Sequence, residues 1–69
     1  MVEVFKTDVT EHHQAAMLEG VLLQHFPLFR INFDLDDCDK ILRVEGDHVL
    51  PERVIEVLGS SGYECMALE

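Results

Sequence analysis

The chain has 69 residues, 48% of them hydrophobic and 28% charged, and a formal net charge of -9 from five Lys and Arg against fourteen Asp and Glu. That length holds a single domain, residues 1–69, with one small core, since chains of this size bury only roughly 60% of their unfolded surface. The apolar content argues against a disordered tail, and the acidic balance argues against nucleic acid or anionic lipid as partners, because both require clustered cations.

Val2 to Thr7 alternates, with Val2 and Val4 on one face and Glu3 and Phe5 on the other, which suits a strand with one buried side. Asp8 with Glu11 three residues on makes a capping-box pattern, and Thr10 offers a second N-cap, so a first helix starts within this stretch. Ala15, Leu18, Val21, Leu22 and His25 or Phe26 recur at helical spacing, and Pro27 ends the helix. Phe29, Ile31, Phe33 and Leu35 then alternate with Arg30, Asn32, Asp34 and Asp36, the cleanest period-two signal in the chain.

Asp36 to Asp39 reads as a polar turn, and Ile41 to Glu45 as the return strand of a hairpin, with Leu42 and Val44 on one face. Pro51 suits a first helical position, and Val54, Ile55, Val57 and Leu58 form the apolar stripe of a short second helix. Gly62 is the natural left-handed stop, and Tyr63 to Leu68 is the last strand, with Cys65 and Ala67 facing inward. The order strand, helix, strand, strand, helix, strand predicts an α+β ferredoxin-like sandwich. Its four-stranded antiparallel sheet, ordered 4-1-3-2, carries both helices on one face.

With that order, the chain resembles the heavy-metal-associated domains of copper chaperones and metal-pumping ATPases over almost its whole length. In that family the first strand leads into Gly-Met-x-Cys-x-x-Cys. Here Asp8, Val9, Thr10, Glu11, His12, His13 and Gln14 occupy those places, so Glu11 and Gln14 stand where the two thiol ligands would be. Gly62 and Tyr63 match a common family feature near the metal loop. Without thiolates, Cu(I) transfer of the family kind is not expected, because a soft ion requires sulfur ligands. The hairpin turn carrying Cys38 is expected away from the first loop, and Cys65 has the parity of a packed residue.

Asp8, Glu11, His12 and His13 are candidate ligands for a borderline ion such as Zn(II), Ni(II) or Cu(II). Adjacent helical residues diverge by about 100°, so Asp8 with His12 is the better-spaced pair, and a solvated first helical turn is the alternative. No cofactor is fixed by the sequence, and a divalent metal ion is the one it admits. Asp34, Asp36 and Glu45 fall at calcium-loop spacing, but Cys38 and Asp39 break the pattern and the flanks read as strands. No nucleophile and base can be assembled and no glycine-rich phosphate loop exists, so an enzyme is not expected.

On the sheet face opposite the helices, the inferred order places Met66, Phe5 and Ile41 on three neighbouring strands, with Arg30 and Arg43 beside them and Leu68 at the edge. Such a patch on a small domain marks a contact surface for a protein partner or a second copy of the chain. The expected function is thus a small interaction module related to the heavy-metal-associated domains. A divalent-metal domain is the alternative, and an ACT-like small-ligand regulatory domain, against which the lack of a glycine-rich first loop counts, is a third. Two cysteines allow at most one disulfide, and no basic leader or membrane-length apolar run is present, so a cytoplasmic setting with no membrane segment is expected.

Overall fold

A computed structural model describes residues Met1 to Leu68. It contains β1 (Val2–Thr7), α1 (His12–His25), β2 (Arg30–Asp34), β3 (Ile41–Glu45), α2 (Pro51–Ser60) and β4 (Cys65–Leu68). The strands form one sheet in the order β2-β3-β1-β4, with every pairing antiparallel. This is the predicted ferredoxin-like arrangement, and both helices cover the same face of the sheet.

The second helix forms as the sequence implies. Pro51 occupies its first turn, where a missing N–H is no loss, and Val54, Val57 and Leu58 are buried. Gly62, at φ 91°, turns the chain in a conformation that side-chain-bearing residues avoid. The N–H groups of Gly62 and Tyr63 then donate to the carbonyls of Gly59 and Leu58, each at 3.0 Å, which closes the helix end.

The first helix begins later than the Asp8 or Thr10 caps suggest: its N-cap is Glu11. Gln14 reaches back so that its Oε1 accepts the backbone N–H groups of Thr10 and Glu11 at 3.4 and 3.3 Å. The reason is tertiary. The carboxylate of Asp8 accepts the Glu64 N–H at 2.9 Å, and Val9 is fully buried, so residues 8–10 are held to the sheet end instead of winding into the helix. At the other end the Phe26 N–H donates to Leu22 at 2.7 Å before Pro27 stops the helix.

The main core joins Phe5, Leu42 and Val44 of the sheet to Leu22 of α1 and Val54, Val57 and Leu58 of α2, with Ile31 and Phe33 packed against them. Each such buried side chain stabilises the fold by about 1.5–3 kcal/mol. Phe5 therefore points inward, contrary to the expectation that it lies on the open face: none of it is solvent-exposed. The strand carries apolar groups on both sides, and the side holding the larger one is buried. A second cluster of Val9, Ala15, Leu18 and Leu35, touched by Phe33 and Tyr63, sits under the loops at one end of the sheet.

Candidate functional site

Three loops meet at that end. Because β1 runs antiparallel to β3, the end of β1 lies beside the start of β3, and the β2–β3 turn comes with it. The Thr7 N–H donates to the carbonyls of Asp39 and Lys40 at 3.2 Å, and its hydroxyl donates to Lys40 at 2.6 Å while accepting the Val9 N–H at 3.2 Å. The Lys6 ammonium lies 3.7 Å from the Asp39 carboxylate. The turn bearing Cys38 is thus a neighbour of the end of β1, not remote from it as expected. The antiparallel register of β1 with β3 requires this, and the strand order already implied it.

The turn is built by its own aspartates. Asp34 and Asp37 carboxylates accept the N–H groups of Asp36 and Asp39 at 3.2 and 2.8 Å, and Lys40, at φ 49°, closes the loop with its ammonium on the Leu35 carbonyl at 2.9 Å. Among the described residues, the one group of three carboxylate, imidazole or thiol ligands whose atoms lie together, within 4.8 Å, is Asp37, Cys38 and Asp39. Asp8, Glu11, His12 and His13 do not gather in this way. Asp8 holds the Glu64 N–H, Glu11 caps the helix with its carboxylate 3.5 Å from His13, and both histidines are exposed on the first turn.

A cavity of about 530 Å³ opens where β4 begins. It is lined by Ile55 and Gly59 of α2, by Lys6, Thr7 and Asp8 at the end of β1, and by the segment from Tyr63 to Met66. Cys65 is half-buried, and its thiol is pushed up to about 12 from an ordinary 9.0, first by burial and then by the charge of Asp8. It stays a protonated, weakly nucleophilic thiol at neutral pH. Cys38 is exposed.

The uncovered sheet face is defined by the cross-strand pairs. Lys6 lies opposite Ile41 and Met66, Val4 opposite Arg43 and Leu68, and Arg30 opposite Glu45. Met66, Arg30 and Arg43 are exposed there as expected. Ile41 shares the face but retains only 8% of its exposure, so it backs the surface more than it forms it. The place expected for Phe5 is taken by Val4 and Val2, the latter 46% exposed.

No protein-family model, curated protein or solved structure matches the chain. Its chemistry rests on its own side chains. The donors at the loop end are carboxylates, imidazoles and one exposed thiol, a set suited to borderline divalent ions more than to Cu(I). Sequence reasoning overlooked Thr7, the single polar side chain buried among the described residues, and the wall formed by Ile55 and Gly59. A glycine four residues after an apolar helical position was the available signal, since it weakens a helix by roughly 1 kcal/mol and leaves a gap beside its neighbour.

Proposed function

We propose that this chain is a protein-interaction module, related to the heavy-metal-associated domains but without their thiol pair, that works through its uncovered sheet face. The observation that supports this is the composition of that face. Val2, Val4, Met66 and Leu68 run across the two adjacent strands β1 and β4, with Lys6 among them and Arg43 opposite Val4 on β3, while Arg30 stands farther off on β2, beside Glu45 at 4.0 Å; these are three of the chain's five cationic residues. Elsewhere the molecule is strongly acidic. The partner surface that fits is apolar with carboxylates at its border, as interface cores are apolar and their rims charged.

Met66→Asp and Val4→Asp place a carboxylate in the strip while leaving the covered face untouched. Both variants are expected to keep the circular dichroism of the parent and to lose the partner that the parent retains from its native extract. A partner retained equally by all three proteins, or a parent that stays monomeric in sedimentation and retains none, removes the reading.

A second reading, divalent-metal binding at the loop end, is favoured by the approach of the Asp37, Cys38 and Asp39 ligand atoms and by their closeness to the end of β1. Zn(II) titration followed by amide NMR tests it. Shifts centred on residues 36–40 and absent in Cys38→Ala support the hairpin tip. Shifts confined to residues 8–14 and lost in His12→Ala or His13→Ala return the site to the first loop, and no shifts at all end the metal reading.

A further inference from the structure

The two edges of the sheet are not alike. The β2 edge carries Arg30 and Asp34 at its two ends, in keeping with the charges that protect exposed strand edges from unwanted pairing. The β4 edge reads Cys-Met-Ala-Leu, with no charge and no proline, and it pairs only with β1. In an edge strand, alternate residues point their N–H and C=O groups away from the sheet, ready to accept another strand. Here the first residues of that edge, Cys65 and Met66, line the 530 Å³ cavity together with Ile55 and Gly59 of α2.

An unpaired edge beside a cavity walled by a helix has the two parts that strand addition requires: main-chain partners for affinity and a pocket for alternate side chains. Gly59 supplies the opening, since nothing lies within 4 Å of where its Cβ would stand. The Asp8 carboxylate fixes the edge by holding the Glu64 N–H at 2.9 Å, which orders the backbone just before β4.

We propose that the β4 edge and the Ile55–Gly59 wall form a groove that binds an extended peptide segment of basic and apolar residues as a fifth strand. The charges lining the cavity set the chemistry of that segment. Asp8 and Glu64, both exposed, line the cavity, while Lys6, the cation lining it, is drawn to Asp39 at 3.7 Å. A second copy of this chain fits poorly. Two paired edges would bring together molecules that each carry a formal charge of -9, each with Glu64 just before β4. This groove adjoins the open sheet face, with which it shares Lys6 and Met66, whereas Ile55 and Gly59 belong to the groove alone and Val4 and Arg43 to the sheet face alone.

The test is an amide NMR titration of the whole chain with two capped hexapeptides, one alternating Val with Lys and the other Val with Glu. The Val/Lys peptide is expected to shift Gly59 and Tyr63 to Leu68, to slow hydrogen exchange along β4, and to bind at least about tenfold more weakly at 0.5 M than at 0.05 M salt, as the lining charges are screened. The Val/Glu peptide is expected to leave these signals unmoved. Gly59→Leu fills the groove at a position where a helix accepts leucine better than glycine, so it should stay folded and lose the Val/Lys shifts. Equal binding of both peptides, shifts on Val4 and Arg43 instead of β4, no shifts, unchanged binding by Gly59→Leu, or a dimer joined through β4 in sedimentation each overturns the proposal.

Discussion

The two faces of the sheet differ by a shift of one residue along each strand. On the covered side Phe5, Leu42 and Val44 are wholly buried between the sheet and two helices. On the other side Val4 is half-buried and Arg43, Glu45 and Met66 are exposed. In β1 both sides are apolar, so hydrophobicity alone does not choose between them. Aromatic side chains bury about 150–250 Å² each, more than a valine can, so the orientation that buries Phe5 wins. The valines left outside are therefore not consumed by folding, which is why the uncovered face keeps an apolar strip available for contact.

The sharpest way to break this comparison is to truncate the two neighbours. Phe5→Ala should cost about 3–5 kcal/mol, a large share of the stability of a domain this small, whereas Val4→Ala should cost less than about 1 kcal/mol. Urea denaturation of both variants measures the difference. Similar losses would mean that the two faces of β1 are equally packed.

Much of the architecture was legible because several local signals agreed. The alternation of residues 29–35, Pro51 at a helix start and Gly62 after a helix end each have one physical reading, and their order leaves few topologies. What was misread depends on tertiary balance. The orientation of β1 turned on the size of Phe5 against two valines, and the α1 start turned on Asp8 being drawn to Glu64 across 56 residues. The neighbourhood of Cys38 was different: it followed from the antiparallel order of β1 and β3. The candidate ligands in residues 8–13 were found by spacing along the chain, but spacing does not say which side chains already serve the fold, as Asp8 and Glu11 do.

A smaller effect sharpens the boundary of the covered face. Thr7 is on that face, at the end of β1, and is the polar exception there. Its hydroxyl joins the first loop, through the Val9 N–H, to the hairpin turn, through the Lys40 carbonyl. Thr7→Val keeps nearly the same volume while leaving both groups without that partner, so it should cost about 1–3 kcal/mol. Hydrogen exchange should quicken first at Val9, whose N–H loses its acceptor. A neutral change with unaltered exchange would show that the loops are held by the Val9 and Leu35 cluster alone.

The smallest effect compares the two cysteines, one exposed at the hairpin tip and one half-buried on the covered side of β4. Cys38 should label within the dead time of a thiol reagent at neutral pH, while Cys65 should label only as the chain opens, because its thiol is held up near 12 by burial and by Asp8. The same shift makes stability depend on pH. Between the ordinary thiol value of 9.0 and about 12, the unfolded chain gives up the Cys65 proton while the folded chain keeps it. The unfolded state then binds fewer protons, so this contribution to stability is present in full below 9 and is lost as pH rises toward 12. Because other groups also titrate in that range, the measurement is a difference: urea midpoints of the parent and of Cys65→Ala from pH 8 to 11. The parent should decline more steeply above pH 9, and parallel curves would mean that Cys65 is as solvated as Cys38.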